Sequence, residues 1–128
     1  MSASSALIGA IVFAWMPENE NLDLPGSKFR PVLIVGQSQD RRLVHVVYGT
    51  SQRVDREGSG EIVLDCTEVP GLSKPTKFCF RKSCWIPLKD SYFSASEGNR
   101  RLVVVGHLPA NRAADVLDRL LEANPESR

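Results

Sequence analysis

The chain has 128 residues and a formal net charge of +1, with 42% hydrophobic and 24% charged residues. This length fits one domain that buries enough surface to fold without disulfides or metals. The near-neutral charge excludes a non-specific nucleic-acid coat protein but not a local basic groove, and no apolar run reaches the roughly 18 residues of a membrane-spanning helix.

We expect no secretory signal at the N-terminus. Residues 1–6 are rich in serine and alanine and lack the basic residues that begin a secretory signal. We expect a flexible N-terminus over 1–6, a single domain over 7–124, a C-terminal stub over 125–128 and a cytoplasmic location. Cys66, Cys79 and Cys84 do not have zinc-site spacing, and we expect them to be small buried side chains.

Short apolar or alternating runs between turn residues predict a fold built mainly from strands. Five to seven such strands are typical of a small barrel or sandwich. The predicted strands span residues 7–15, 31–36, 42–48, 61–66, 76–81 and 102–106.

Residues 110–123 have helical periodicity instead. Asp115 and Arg119 are spaced to form an i, i+4 ion pair on the solvent side, and Asn124-Pro125 ends the helix. We expect an amphipathic C-terminal helix that plugs or covers the barrel. Its apolar stripe consists of Ala113, Val116, Leu117, Leu120 and Leu121.

Two polar stretches, 17–27 and 51–60, are predicted surface loops, which are either binding loops or plain solvated connections. Between Glu68 and Asp90 the chain has five cations and no acidic residue, with aromatic residues interleaved. This pattern predicts RNA contacts, in which rings stack on unpaired bases, or a strand edge protected by lysines. The residues are Lys74, Lys77, Arg81, Lys82 and Lys89, with Phe78, Phe80 and Trp85.

No common catalytic motif is present, and His45 and His107 are isolated, which favours structural roles for both. The sharpest feature is a pair of segments, Lys28-Phe29-Arg30-Pro31 before one strand and Tyr48 to Gln52 after the next. If these strands are antiparallel neighbours, Arg30 and Thr50 meet at one end of the sheet. A guanidinium fork and nearby hydroxyl groups can stabilise negative charge on a phosphoryl oxygen. A strand-end arginine and a polar turn are the plainer interpretation.

Several segments occur in an order that resembles a known family. They are KFRPVLIV at 28–35, YGTSQ at 48–52, Pro70-Gly71-Leu72, Lys74-Pro75-Thr76 and Val105-Gly106-His107-Leu108 before the terminal helix. Over roughly residues 8–121 the chain resembles the PemK/MazF-like toxins of bacterial toxin–antitoxin pairs. The resemblance implies an SH3-like β-barrel with a C-terminal helix, usually a homodimer. It also implies a metal-independent, sequence-selective endoribonuclease (an mRNA interferase) that has no cofactor and that a cognate antitoxin blocks.

The resemblance further implies roles for individual residues. Arg30 would stabilise charge on the scissile phosphate, and Thr50 would bind the same phosphate. The ribose 2′-hydroxyl would attack its own 3′-phosphate, giving a 2′,3′-cyclic phosphate and a 5′-hydroxyl. Because the nucleophile belongs to the substrate, RNA rather than DNA is required and no metal site is expected. The cleaved RNA would be single-stranded, with splayed bases read by loops. The residues that would hold the RNA are Lys28, Ser51, Gln52, Thr76 and Lys77.

The chain also departs from the family pattern. Ala10 stands where many members have an acidic residue, and Phe80-Arg81-Lys82-Ser83 lacks the aspartate of the Arg–x–Asp pair. The general base is therefore not identified, and His45 is the nearby candidate by strand position. Two alternatives remain on the same fold. One is a catalytically lapsed binding module, and the other is a gyrase-targeting toxin, which the packed appearance of the C-terminal helix disfavours.

Overall fold

A computed structural model of the protein describes residues 7–17, 25, 26, 28–93 and 104–123. The N-terminus over 1–6 and the stub over 125–128 lie outside these residues, as does most of the predicted loop 17–27. The strands are β1 (Ala10–Trp15), β2 (Phe29–Gln37), β3 (Leu43–Thr50), β4 (Glu61–Leu64), β5 (Thr76–Pro87) and β6 (Val104–His107). The helices are α1 (Asp90–Phe93) and α2 (Ala113–Ala123), with a 3-10 turn at Ala110–Arg112 leading into α2.

The six strands form one antiparallel sheet in the order β4-β5-β3-β2-β1-β6. The sheet curls so that the chain following β4 returns to β6, where the side chain of Val69 fills the space above Gly106. The result is a half-barrel that is open between β4 and β6. The predicted mainly β fold with a barrel-like sheet and a C-terminal helix is confirmed.

Both faces of the sheet are buried, so the fold has two hydrophobic cores. The first, the α1-side core, contains Val12, Ala14, Val32, Ile34, Val44, Val46, Ile86, Tyr92 and Phe93. The second, the α2-side core, contains Ile11, Leu33, Val47, Ile62, Leu64, Val69, Leu72, Phe78, Phe80 and Val116. The near-continuous apolar runs of β1 and β2 follow from this arrangement, because alternate residues of each strand enter different cores.

The structure extends β5 well beyond the predicted strand 76–81, to Pro87. Its register with β3 shifts at Val47 and Tyr48, whose partners are Ser83 and Cys79. Three residues of β5 therefore lie between two consecutive pairs, and extra residues of this kind bend a strand. The bend lets β5 pair with β3 along most of its length and with β4 at its start.

β1 begins later than the predicted strand 7–15, because Leu7 to Gly9 form a turn. Gly9 has a φ of 93°, and the N–H of Ala10 donates to the Leu7 carbonyl at 3.0 Å. Glycine adopts this conformation without strain, whereas other residues rarely do. The strands predicted at 31–36, 42–48 and 61–66 are present with ends moved by one or two residues. Residues 102 and 103 of the predicted last strand lie outside the described residues.

The predicted C-terminal helix is confirmed from Ala113, but its contacts differ from the prediction. Asp115 pairs with Arg112, at 3.5 Å, and Arg119 pairs with Glu122, at 2.8 Å, rather than with each other. Val116 enters the α2-side core with Leu120 beside it, while Leu117 and Leu121 are exposed. In the described part of the chain, no helix is long and apolar enough to cross a membrane.

The three cysteines are free thiols, as the sequence predicted, but they are only half-buried. Cys84 packs against the edge of the α1-side core. Cys79 is paired with Glu61 and lines a groove, so solvent reaches part of it. The expectation that the cysteines are buried side chains is therefore wrong.

Candidate functional site

Arg30 and Thr50 lie on neighbouring antiparallel strands, β2 and β3. The prediction that the two residues meet depends on this pairing. The register pairs Val32 with Tyr48. Carried two residues further, the same register places Arg30 across from Thr50. Directly opposed residues in an antiparallel pair have their side chains on the same face. The two side chains therefore lie at one end of the sheet and on one face.

A groove of about 400 Å³ opens beside Thr50. Its floor is formed by β3, β4 and β5, and its rim by the loop that follows β3 and the turn that precedes β4. Within the described residues, four cationic side chains and one carboxylate line the groove. This balance of charge suits an anionic ligand. The cations are Arg53, Lys77, Arg81 and Lys82, and the carboxylate is Glu61.

The Tyr48 ring brings two of the cations together. The Cζ atom of Arg30 lies 5.6 Å from the ring centroid, and the Nζ atom of Lys82 lies at the same distance. Neither side chain forms an ion pair or a hydrogen bond with another residue that the structure describes. The donors of the Arg30 guanidinium are therefore available, and their planar arrangement matches two oxygens of a phosphate.

Lys77 is the most buried cation of the groove, with a side chain only 8% exposed. Its Nζ lies 3.4 Å from Oε1 of Glu61 and donates to the Arg56 carbonyl at 3.4 Å. Glu61 Oε1 also accepts the N–H of Gly58 at 2.8 Å. That hydrogen bond is the main reason that the pKa of Glu61 lies below its ordinary value, and Lys77 adds to the effect. The Lys77 charge is therefore largely compensated, whereas Arg30 and Lys82 are free.

The turn after β3 carries most of the remaining predicted site residues. Thr50 Oγ1 accepts the N–H of Gln52 at 3.2 Å. This contact fixes the position of the hydroxyl oxygen and leaves its O–H free to donate. Gln52 lines the groove, and Ser51 and Lys28 are exposed.

Thr76 does not reach the groove. Its side chain is 3% exposed and donates to the Lys74 carbonyl at 3.1 Å. Successive side chains of a strand point to opposite faces, so Thr76 faces the α2-side core while Lys77 faces the groove. The structure therefore places one of this predicted pair of RNA-binding residues at the site and removes the other from it.

The interleaved aromatic residues of β5 also divide between core and surface. Phe78 and Phe80 are fully buried, so the expectation that they stack on RNA bases is wrong. Trp85 is 50% exposed and stacks on the His45 ring, with centroids 4.9 Å apart and an interplanar angle of 15°. Of the three rings, only Trp85 presents a face to solvent.

His45, the candidate general base, lies on the other face of β3. It stands five residues before Thr50, and an odd spacing along a strand places two side chains on opposite faces. Its partners in the sheet are Gly36 and Trp85. Its Nε2 lies 3.0 Å from Ser83 Oγ, and burial lowers the pKa of the imidazole. His45 therefore does not reach the phosphate site that Arg30 and Thr50 would form.

The groove does not offer an activated thiol or a metal cluster. Burial raises the pKa of the Cys79 thiol, and the Glu61 carboxylate raises it further. A neutral thiol is a poor nucleophile. In the described ranges no three His, Cys, Asp or Glu side chains are grouped to hold a metal ion.

Sequence reasoning missed Tyr48, Arg53 and Glu61 as site residues, and it did not separate Arg81 and Lys82 from the other cations of the basic stretch. Tyr48 stands two residues before Thr50, and this spacing on one strand places both on the same face. Arg53 follows the TSQ segment directly. Arg81 and Lys82 belong to the basic stretch, but its alternation does not say which cations reach the groove. Nothing in the sequence indicates Glu61, because its position depends on the pairing of β4 with β5.

Comparisons with known proteins connect this fold to solved toxin structures. No family model and no curated protein matches the chain. The Mycobacterium tuberculosis toxin MazF-mt6 superposes with a TM-score of 0.62 at 21% identity, covering 91% of this chain and 96% of the toxin. An endoribonuclease from a mycobacterial species, solved in complex with its cognate antitoxin, has a TM-score of 0.62 at 15% identity, covering 94% and 95%.

A third structure, described as a toxin from the same bacterium, has a TM-score of 0.54 at 22% identity and covers 73% of this chain and 91% of that one. The first two similarities extend over more than nine tenths of this chain, not over a local motif. The chain thus has the fold of the MazF toxins, as the resemblance in its sequence predicted.

Proposed function

We propose that the protein is the toxin of a toxin–antitoxin pair and a metal-independent endoribonuclease that cleaves single-stranded RNA in the cytoplasm. The observation that carries the proposal is the position of Arg30 and Thr50 on adjacent strands beside a cation-lined groove. The fold of the protein, which it shares with a toxin and with a named endoribonuclease, supports it.

In the proposed reaction the ribose 2′-hydroxyl attacks the adjacent 3′-phosphate. A bond forms between O2′ and phosphorus, and the bond from phosphorus to the 5′-oxygen of the next nucleotide breaks. The products are a 2′,3′-cyclic phosphate and a 5′-hydroxyl. Negative charge grows on the two non-bridging oxygens as the phosphorus becomes five-coordinate. Fixed donors aimed at these oxygens lower the barrier more than they stabilise the substrate.

Arg30 and Thr50 are the proposed catalytic residues. A guanidinium keeps its positive charge at physiological pH, so Arg30 acts as an electrostatic stabiliser. The Thr50 hydroxyl, whose oxygen accepts the N–H of Gln52, donates a hydrogen bond to the same phosphate and keeps its proton. Glu61 is the carboxylate that lines the groove, but it is engaged by Gly58 and Lys77.

The proposed substrate contacts come from the residues around this pair. Gln52 and Lys77 line the groove, and Ser51 and Lys28 are exposed near the ends of β3 and β2. Because the Thr76 side chain is buried, we do not include it among the RNA contacts. A cationic groove of this kind would bind the backbone of any single strand, and exposed bases would supply the sequence preference.

The proposal includes two protein partners. The first is a cognate antitoxin, a short protein with a disordered acidic tail that folds on a basic surface. The mycobacterial endoribonuclease solved with its antitoxin supports a partner of this kind. The second is another copy of this chain, because the resemblance implies a homodimer.

The decisive experiment is cleavage of a long single-stranded RNA in the presence of EDTA. Wild-type protein, Arg30→Ala and Thr50→Val are compared with Lys89→Ala. Lys89 belongs to the basic stretch, but it is exposed near the far end of β5 and does not line the groove. We expect discrete fragments with 5′-hydroxyl ends from wild type and Lys89→Ala. We expect Arg30→Ala and Thr50→Val each to lower kcat by about 100- to 1,000-fold, which is the usual cost of removing one oxyanion donor.

Two results would contradict the proposal. RNA left intact at micromolar wild-type protein would favour a lapsed or protein-binding relative on the same fold. Full activity of folded Arg30→Ala would contradict the assignment of Arg30 to the catalytic site, although the protein would still be a ribonuclease.

A further inference from the structure

Tyr48 occupies a central position between two cations that belong to different strands. It lies on β3, and its neighbours in the sheet are β2, which carries Arg30, and β5, which carries Lys82. Each charge lies 5.6 Å from the centre of the Tyr48 ring. The two charges are therefore no more than twice that distance apart and approach the ring from the two sides of β3.

The two cations have no anion of their own in the described part of the chain. Glu61, the carboxylate of the groove, is taken up by Lys77 and the Gly58 N–H. The electron-rich face of an aromatic ring attracts a cation, so the ring can hold both charges in place. It cannot neutralise them, so an anionic ligand bound between them would lower their mutual repulsion.

The ring, rather than the hydroxyl group, makes these contacts. The Tyr48 hydroxyl has no hydrogen-bond partner among the residues that the structure describes. Each cation lies 5.6 Å from the ring centroid, inside the limit of about 6 Å for a cation–π contact. A phenylalanine at this position would preserve the arrangement, and an aliphatic side chain would remove it.

We propose that Tyr48 is a positioning residue that holds Arg30 and Lys82 as a two-cation clamp for consecutive phosphates of single-stranded RNA. Arg30 faces the phosphate that is cleaved, and Lys82 binds a phosphate next to it. The proposal rests on the proposed function and adds two residues, Tyr48 and Lys82, to its site. Lys82 belongs to the stretch without acidic residues, and the clamp gives that stretch a defined role.

The test measures binding and cleavage separately, with the full chain. Binding is followed by the fluorescence anisotropy of a labelled 2′-O-methyl RNA strand, which lacks the nucleophilic hydroxyl and stays intact. Affinity is measured over a series of salt concentrations. For a single strand, each neutralised phosphate contributes about 0.7 to the slope of log affinity against log salt. Loss of base stacking lowers the affinity without this change of slope.

The variants are Lys82→Ala, Lys82→Arg, Tyr48→Phe and Tyr48→Leu, with Lys89→Ala as the matched control. We expect Lys82→Ala to lower the magnitude of the slope by about 0.7, and Lys82→Arg to restore it. Tyr48→Leu lowers the slope and also reduces kcat on unmodified RNA at least tenfold, because Arg30 is no longer held. Tyr48→Phe and Lys89→Ala keep the wild-type salt slope, and their RNA affinity and kcat stay within twofold of wild type.

Each contrary result identifies what has failed. A wild-type slope for Lys82→Ala overturns the clamp, and so does a Tyr48→Phe protein as impaired as Tyr48→Leu. If Tyr48→Leu lowers the urea unfolding midpoint, its loss of activity is not used, and the clamp is judged from the two Lys82 variants and Tyr48→Phe. A wild-type protein that binds RNA without cleaving it overturns the proposed ribonuclease, while the slopes still judge the clamp. A wild type that does not bind RNA overturns both.

Discussion

Glu122 on α2 accepts a hydrogen bond from the backbone N–H of Gly60, at 2.8 Å, and so ties the C-terminal helix to the wall of the groove. Arg119 of the same helix donates to the Glu61 carbonyl at 2.9 Å. Arg112 donates to the Val63 carbonyl at 3.2 Å. The edge of β4 is thus satisfied by arginine side chains where another strand would otherwise pair. α2 therefore supports the side of the groove that carries Glu61.

Replacing Glu122 tests this support. Glu122→Ala removes the acceptor of the Gly60 N–H, so we expect the groove wall to move and RNA cleavage to slow. A shift of about 1 Å at a site can cost up to about 100-fold in rate. Steady-state cleavage measures the effect, and Asp118→Ala, on an exposed position of the same helix, is the control. Equal activity of the two variants would show that α2 does not position the groove.

Gly49 lies between Tyr48 and Thr50, where no side chain fits. A Cβ atom there would lie 2.6 Å from the Pro31 carbonyl oxygen and 2.9 Å from a ring carbon of Phe78. Gly49→Ala forces β2 and β3 apart, and overpacking of this kind costs about 1–3 kcal/mol of unfolding free energy.

Gly36→Ala is the control for that substitution, because its new Cβ would meet the nearest side-chain atoms at 3.4 and 3.6 Å. Urea denaturation compares the two. We also expect Gly49→Ala to lose RNA cleavage, because Thr50 is displaced. A Gly49→Ala protein that is as stable as Gly36→Ala and still cleaves RNA would contradict this close packing of β2 and β3.

Phe80 and Trp85 lie on one strand but have opposite roles. Phe80 is fully buried in the α2-side core, so Phe80→Ala should lower the unfolding free energy by about 3–5 kcal/mol. Trp85 is half-exposed, and Trp85→Ala should cost less. Urea unfolding monitored by circular dichroism measures both. A Phe80→Ala protein that keeps its stability but loses RNA affinity would reverse the assignment of Phe80 to the core.

The stability of the fold should depend on pH through His45. Burial lowers the pKa of His45 in the folded protein below its ordinary value of 6.5. As the pH falls below 6.5, the unfolded chain takes up a proton before the folded one does, and the unfolding free energy decreases. The contribution is complete above pH 6.5 and is lost as the pH passes through the folded-state pKa.

His45→Gln should flatten this dependence between pH 6.5 and 5, an interval in which the carboxylates with lowered pKa values stay ionised. Unfolding midpoints in urea at several pH values test it. A wild-type midpoint that stays constant over this interval would contradict the assignment of a lowered pKa to His45.

Much of the fold was predictable because the strands carry their own local signals. The apolar runs 31–36 and 42–48 became β2 and β3 with small changes at their ends. The bend of β5 was not predictable, because it depends on three residues that β3 leaves unpaired. The ion pair expected between Asp115 and Arg119 was replaced by pairs with Arg112 and Glu122, which depend on how α2 lies on β4.

The site followed the same division. The residue types of Arg30 and Thr50 indicated phosphate chemistry, and antiparallel pairing of two consecutive strands was enough to bring them together. Thr76 and Lys77 were both predicted RNA contacts, but neighbouring residues of a strand face opposite sides, and the sequence did not say which side is the groove. Burial of Phe78 and Phe80 in the α2-side core decided it.

The sequence by itself determined the mainly β class and the C-terminal helix, because each depends on a local pattern of residues. It placed Arg30 opposite Thr50 only on the condition that β2 and β3 pair antiparallel, which the structure supplies. Only the tertiary structure decided that Tyr48 lies between Arg30 and Lys82, that Glu61 compensates Lys77, and that His45 faces away from the groove. These relationships depend on which strands pair and on the face of the sheet that each residue takes. Their geometry depends on the order of strands and the bulges of a curled sheet, neither of which is encoded in a local pattern of residues.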